Sequence, residues 1–193
     1  MKIEKSTVPL TKQIAVSAIL LAICIASQFL KNLSVYITGP IINLCLILAV
    51  MMAGLTWGIV LSVITPVTAF LIAASPVMQA VPGIIPLIMC GNIVLVVMVA
   101  LFFQPAITHR RPLFSPRSIV AAILCALAKG LFMGLTIALW LLPTFIPAES
   151  PLRGKMGVFR MTFSVTQFVT AIIGFVYFFI IWTPLKKAVV KEQ

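Results

Sequence analysis

Acidic side chains are almost missing from this sequence. Glu4, Glu149 and Glu192 are the only carboxylate residues among 193; charged residues of both signs make up 9% of the chain and apolar residues 62%. Soluble domains average roughly 45–50% apolar and about 25% charged residues. One core of this size cannot hide so much apolar surface. The composition therefore excludes a soluble enzyme, a disordered tail and a free nucleic-acid-binding domain, and it predicts that the solvent is lipid.

Groups that carry protons, metals or nucleotides are also scarce. The single histidine, His109, lies between apolar runs, and no carboxylate lies within one, which argues against a proton-coupled pump. There is no G-x-x-x-x-G-K-[ST] motif for ATP and no cluster of His, Cys and carboxylate for a metal. An intramembrane hydrolase could only pair a serine with Lys129, and no particular serine suggests itself. We therefore expect no catalytic residue, cofactor or metal, so any uphill transport needs energy from a partner.

Cysteines are few and lie inside apolar runs. They are Cys24, Cys45, Cys90 and Cys125, and no two of them form a C-x-x-C pair. We interpret them as small buried hydrophobic residues rather than as a disulfide or a metal site.

Six apolar runs approach the length of about 20 residues that a membrane-spanning helix needs. They cover residues 10–30, 40–56, 57–74, 83–103, 117–142 and 160–183. Three lysines, the last at position 12, precede the apolar stretch from Ile14 to Ala26, which has no clean cleavage site after it, and we interpret the first run as a retained helix. A tight turn at Gly54-Leu55-Thr56-Trp57-Gly58 joins the second run to the third. The sequence thus predicts one all-α domain over residues 1–193, an integral membrane protein with six transmembrane helices.

The net charge of +11 is distributed as in a membrane topology, between the apolar runs, and not as on a phosphate-binding face. An even number of spans places both termini on one side. Nine cations flank the N-terminus, the fourth connection and the C-terminus: Lys2, Lys5, Lys12, Arg110, Arg111, Arg117, Lys186, Lys187 and Lys191. Four lie on the other face: Lys31, Arg153, Lys155 and Arg160. The positive-inside rule predicts that both termini are cytoplasmic.

The segment from Ala73 to Asn92 departs from a plain helix because it holds three prolines and two glycines. Irregular backbone at membrane depth is tolerated only where protein or a cavity satisfies its polar groups. Two interpretations stay open. The segment is either a loop that dips toward an extracellular binding pocket or a surface loop followed by a helix that starts at a proline.

Lys129 is the only charged residue deep within a predicted span. It lies roughly 16 Å from the end of its helix at about 1.5 Å per residue, which is too far for its stem to reach water. A lysine at that depth costs about 2.5–3.5 kcal/mol on insertion scales. It is either a cation that receives an anionic or carbonyl group of a ligand, or a structural lysine that is bonded to backbone carbonyls or deprotonated by burial. We favour the ligand-facing role because ionisable residues within membranes are functional by default.

Two amides lie at a similar depth on neighbouring spans. If Asn92, Lys129 and Gln167 converge, they form one cation beside two amides, a set that suits a polar small molecule. The alternative is that each amide only bonds one helix to another.

Four further side chains near the outer face are candidates for substrate binding: Tyr36, Asn43, Gln79 and Trp140. Tyr36 and Trp140 either cover a ligand ring or anchor the chain in the aromatic belt of the interface. Asn43 follows Gly39-Pro40, where a helix cap and a pocket role are equally open.

A stripe of small residues runs along the first span. Ala18, Ala22 and Ala26 lie four residues apart and share one helix face, which lets another helix approach closely. That helix belongs either to another subunit or to this same bundle.

Taken together, these features resemble the substrate-binding S components of energy-coupling factor (ECF) transporters. The resemblance lies in six short helices, the A-x-x-x-A stripe from Ala18 to Ala26, the stretch Tyr36-Ile37-Thr38-Gly39-Pro40 and the proline-rich run that ends at Met89-Cys90-Gly91-Asn92. It implies that the chain binds a vitamin or related micronutrient on the extracellular side of a bacterial plasma membrane. It also implies that the alanine stripe docks on a transmembrane coupling subunit and that two cytoplasmic ATPases supply energy.

The resemblance further implies a pocket built from the first loop, the loop between the third and fourth helices, and helices four to six, which is where Asn92, Lys129 and Gln167 lie. Lys129 favours a ligand with a carboxylate or a phosphate. Two alternatives stay open. One is a stand-alone facilitator or sodium-coupled carrier, and the other is a non-transport assembly protein whose polar groups only hold helices together.

Overall fold

The computed structural model describes residues 9–30, 34–108 and 113–190, and every regular element in these ranges is helical. Within them, six helices are long and apolar enough to cross a bilayer. These candidate spans cover Leu10–Gln28, Val35–Ala53, Leu55–Ala73, Ile84–Ile107, Pro116–Phe145 and Pro151–Leu185. The chain is therefore an all-α, multi-pass membrane protein.

The first three spans are single helices of 19 residues each: α1 (Leu10–Gln28), α2 (Val35–Ala53) and α3 (Leu55–Ala73). Helix α2 begins five residues before the expected start at residue 40, because the hydroxyl of Ser34 caps it by accepting the N–H of Tyr36. The expected five-residue turn between α2 and α3 is wrong. Gly54 alone separates the two helices, at a φ of 97° that glycine adopts readily.

The proline-rich segment before the fourth span forms a short helix, α4 (Pro76–Ala80), and then a turn. Val77 and Met78 of α4 are buried, so this segment packs onto the bundle. The span itself consists of α5 (Ile84–Met98), a π-helical turn (Val99–Phe103) and α6 (Gln104–Thr108).

The fifth span starts with α7 (Pro116–Met133), continues through a π-helical segment (Gly134–Leu141) and ends with α8 (Leu142–Phe145). Its start is well specified by the sequence. Ser115 and Ser118 exchange side-chain and backbone hydrogen bonds, and a proline occupies the first helical position.

The sixth span is broken near its start. A 3₁₀ turn (Pro151–Lys155) leads into α9 (Met156–Thr162), and α10 (Val165–Val190) follows after two residues. The guanidinium of Arg153 donates to the carbonyl oxygens of Pro143 and Ile146, at 3.0 and 2.9 Å. It thereby satisfies free carbonyls at the end of the fifth span and ties the two spans together.

Helix α2 lies at the centre of the bundle, in contact with α1, α3 and α10. Helix α5 packs between α3 and α7, and α7 packs on α10. The buried apolar residues form two separate groups. We call the larger group the phenylalanine cluster, because Phe103 makes edge contacts with Phe175 and Phe178 within it. We call the smaller group the loop-side cluster; it includes Val77, Met78, Met133 and Ile137.

Three of the four cysteines are buried and all four carry free thiols, but Cys90 is exposed on α5, contrary to the expectation of burial. Several cations on which the sidedness prediction depends, together with His109, lie outside the described residues.

Candidate functional site

A buried lysine lies at the centre of the bundle and is held by two asparagines. The ammonium nitrogen of Lys129 on α7 donates to Oδ1 of Asn43 on α2 at 2.6 Å and to Oδ1 of Asn92 on α5 at 2.8 Å. The exposed fraction is 3% for Lys129, 3% for Asn92 and 1% for Asn43. Three helices that are far apart in sequence thus each contribute one polar group to a single point.

This lysine–asparagine cluster lies between the two apolar clusters. On α5, Ile88 packs with the loop-side cluster and Leu95 belongs to the phenylalanine cluster, so Asn92 is at their junction. On α7, Ala126 and Met133 mark the same boundary on either side of Lys129. Lys129 is also 13 residues into a span of 30, or about 20 Å from the start of α7 at 1.5 Å per residue. The polar groups are therefore in the middle of the fold.

Glycines at the helix crossings make this convergence possible. A Cβ atom on Gly174 of α10 would lie 2.8 Å from Cβ of Asn43 and 3.2 Å from the amide nitrogen of Leu44. A Cβ on Gly130, next to Lys129, would lie 2.9 Å from Cβ of Phe168. Gly91, next to Asn92, is similarly close to the side chain of Met133. Each polar residue of the cluster is thus beside or against a glycine that permits close helix approach.

Two long hydrogen bonds join α2 to α10 beside the cluster. Nδ2 of Asn43 donates to Oγ1 of Thr170 at 3.4 Å, and the hydroxyl groups of Tyr36 and Thr166 are also 3.4 Å apart. Both distances are at the outer limit for a hydrogen bond, so each contact is weak. Close packing of α2 on α10, rather than these two bonds, therefore holds this side of the lysine–asparagine cluster.

The predicted site residues fall into two groups. The structure brings together Asn92, Lys129 and Asn43, and it places Tyr36 at the neighbouring seam. The other three predicted residues do not bond to the lysine. The amide of Gln167 donates instead to the carbonyl oxygen of Thr162 in its own span, at 3.2 Å, whereas Gln79 and Trp140 are exposed. The ring of Trp140 makes an edge contact with Phe145.

Sequence reasoning missed Thr166, Thr170 and Gly174, which are the residues of α10 that face α2. They are four residues apart, so they lie on one helix face. Such a stripe of small and hydroxyl residues is typical of close helix contacts in membranes and was the signal available for finding them.

The alanine stripe of α1 faces away from the bundle. Ala18, Ala22 and Ala26 are all exposed, whereas Leu20 and Cys24 on the opposite face are buried. Within the described part of the chain, therefore, no neighbouring helix covers the stripe.

The charge of the cluster is not neutralised by the described residues. Of the three glutamates, only Glu149 lies in the described ranges, and it is exposed in the connection between the fifth and sixth spans. Nor do those ranges bring together three His, Cys, Asp or Glu side chains that could hold a metal. The arrangement offers hydrogen-bond donors to an electron-rich group.

No protein-family model, curated protein or solved structure matches the chain. The chemistry of the site is therefore inferred from the residues of the lysine–asparagine cluster themselves.

Proposed function

We propose that this protein is the substrate-binding subunit of an ECF-type importer, and that it binds a vitamin or related micronutrient at the lysine–asparagine cluster. In this role it is a carrier subunit in the plasma membrane of a bacterium and not an enzyme. Both termini are cytoplasmic, and the ligand enters from the outside.

The observation that carries the proposal is the buried Lys129 with its two asparagine partners. A lysine within a membrane span costs about 2.5–3.5 kcal/mol on insertion scales. Two amide oxygens reduce that cost, but a purely structural contact needs no cation, since neutral amides bond helices together on their own. A cation with spare donor capacity is useful where a polar ligand is bound.

Two features of the chain support partner subunits that supply the energy: the lack of a P-loop motif and the exposed alanine stripe. The sequence has no ATP-binding motif of the P-loop type, so partner ATPases would drive the cycle. The exposed stripe of Ala18, Ala22 and Ala26 suits a helix of a transmembrane coupling subunit, because small residues let two backbones approach closely. We therefore infer a complex of this chain with one coupling subunit and two ATPases.

Mass spectrometry of small molecules bound to the detergent-purified chain tests ligand binding. We expect a stoichiometric, vitamin-like compound, and we expect Lys129→Ala to weaken its binding by more than about tenfold while the protein still folds. Co-purification with coupling and ATPase subunits tests the assembly. A bound ligand without such partners would instead indicate a facilitator or a sodium-coupled carrier, and an empty chain without partners would indicate an assembly protein.

A further inference from the structure

The hydrogen-bond inventory of the cluster is unbalanced toward donors. An ammonium group has three N–H donors, and Lys129 uses two of them on the amide oxygens of Asn43 and Asn92. Within the described ranges, its third donor and the amide nitrogen of Asn92 have no acceptor. The two side-chain oxygens nearest to the cation are both already occupied. A group that joins this cluster must therefore bring acceptors.

The charge of the lysine–asparagine cluster also favours a ligand that accepts hydrogen bonds and carries a negative charge. With Lys129 protonated, the cluster carries one positive charge, and the described residues place no carboxylate near it. The effective cost of a buried ion is several kcal/mol unless an opposite charge and further hydrogen bonds compensate it. A neutral ligand would leave that charge uncompensated.

The size of the charge separates two kinds of anionic ligand. A phosphate monoester carries about 1.5 to 2 negative charges near neutral pH and would leave a net negative charge buried beside a single lysine. A carboxylate carries one charge and two acceptor oxygens in a plane. One oxygen can accept from the third N–H of Lys129 and the other from an N–H of Asn92, so that both groups with free donors gain an acceptor.

We propose that the lysine–asparagine cluster binds the carboxylate of a ligand with a single negative charge, in preference to a phosphate or a neutral carbonyl group. This inference rests on the proposed function, because it names the chemical class of the ligand that the same site takes. It assigns Lys129 and Asn92 as donors to the carboxylate and Asn43 as the residue that holds the lysine in place.

Small anions can probe the charge preference without knowledge of the natural ligand. The full chain is embedded in lipid nanodiscs, and its thermal unfolding is followed with sodium acetate, acetamide, inorganic phosphate and sodium chloride at equal ionic strength. We expect a saturable rise of the unfolding temperature with acetate only. In Lys129→Met the apparent acetate affinity should fall by at least about tenfold, whereas the exposed-lysine control Lys155→Met should leave it unchanged.

A second variant keeps the test decisive if Lys129→Met does not fold. In Asn92→Asp the new carboxylate replaces an amide whose oxygen is 2.8 Å from the lysine nitrogen, so the chain supplies its own counter-charge. We expect this variant to unfold at a higher temperature without acetate and to respond to acetate at least about tenfold more weakly. The control Gly157→Asp introduces the same charge at an exposed position with nothing within 4 Å of the Cβ position, and it should do neither.

An equal or larger effect of phosphate or acetamide in the wild type, or no effect of acetate, overturns the carboxylate assignment. The proposed function can fail separately. If the purified chain carries a neutral compound that Lys129→Ala loses, the transport role is supported and the carboxylate is not. If acetate binds at Lys129 but no coupling or ATPase subunit associates, the carboxylate is supported and the ECF assembly is not.

Discussion

At the scale of single residues, the change in protein stability when Lys129 is replaced distinguishes a structural lysine from a ligand-binding one. Replacing buried ionic groups by apolar side chains of similar volume is often neutral or stabilising, because the desolvation cost disappears with the charge. Removing only one partner of a buried ion has the opposite effect, because the remaining group loses compensation. A structural lysine and a ligand-binding lysine therefore predict different responses to substitution in the chain without ligand.

We predict that Lys129→Met destabilises the ligand-free protein less than Asn43→Leu does, because the desolvation cost that is lost with the charge offsets the loss of two hydrogen bonds. Asn43→Leu should lower the stability by about 1–3 kcal/mol, because this substitution removes the 2.6 Å bond to a cation that stays buried. Thermal unfolding in detergent, after removal of bound small molecules, measures both. If Lys129→Met is the more destabilising of the two, the lysine holds helices together and its ligand-binding role is contradicted.

The candidate site was predictable in part, because the sequence gives the depth of a residue along its helix but not the direction of its side chain. Asn92 and Lys129 meet because both lie near the middle of neighbouring spans, and depth is readable from the sequence. Gln167 is at a similar depth but its amide bonds back to Thr162. Which way a side chain turns depends on helix rotation and on local acceptors, and neither is encoded in a count of residues from the membrane surface.

At the scale of helices, the crossing of α2 and α10 determines the position of Asn43. Gly174 is in contact with Asn43 and with the backbone of α2, and Gly39 of α2 is equally close to Thr170. Backbone contact at this distance leaves no room for even one methyl group, and helix packing in membranes depends strongly on such small residues.

We predict that Gly174→Ala pushes α10 away from α2, because its Cβ would lie 2.8 Å from Cβ of Asn43. The protein should be destabilised by about 1–3 kcal/mol, the usual range for an overpacked contact, and ligand binding should weaken as Asn43 moves. Thermal unfolding and binding of the co-purified ligand measure the two effects.

Gly157→Ala is the matched control for this substitution. Gly157 lies in α9, and nothing lies within 4 Å of the position that its Cβ would take. This variant should stay within about 0.5 kcal/mol of the wild type, or gain slightly from the better helix propensity of alanine. If both variants behave alike, close approach at Gly174 does not position the cluster.

Helix type and number were predictable from hydropathy, but helix ends depended on chemistry that hydropathy does not register. The start of α2 is at Val35 and not near residue 40, because Ser34 caps the helix and Pro40 is accommodated inside it. The break between α9 and α10 was not predicted for a similar reason, since no proline or glycine marks it within the expected span 160–183. The short α4 is not specified by the sequence pattern, because prolines are compatible both with loops and with first helical turns.

At the scale of the whole molecule, α1 has one face bonded to the bundle and an opposite face that is exposed. Its inner face is tied to α3 at both ends, by the indole of Trp57 that donates to Gln13 and by the amide of Gln28 that donates to the carbonyl oxygen of Thr65. Its outer face carries the exposed alanines. Because α1 contributes nothing to the lysine–asparagine cluster, the proposed docking at the stripe and the proposed ligand binding can be tested separately.

We predict that Ala22→Leu abolishes or strongly reduces association with the coupling subunit, because a leucine at the centre of the stripe prevents close helix approach. Folding and ligand binding should stay as in the wild type, since the side chain at this position points away from the bundle. The measurement is co-purification of the coupling and ATPase subunits, with bound small molecules quantified in the same preparation.

Val176→Leu enlarges an exposed side chain on α10 and is the control for added bulk at the lipid-facing surface. Complex formation that survives Ala22→Leu would place the docking surface elsewhere, and loss of complex in both variants would mean that added bulk anywhere on the surface is disruptive. Only selective loss in Ala22→Leu, with ligand retained, ties the stripe to assembly and the cluster to cargo.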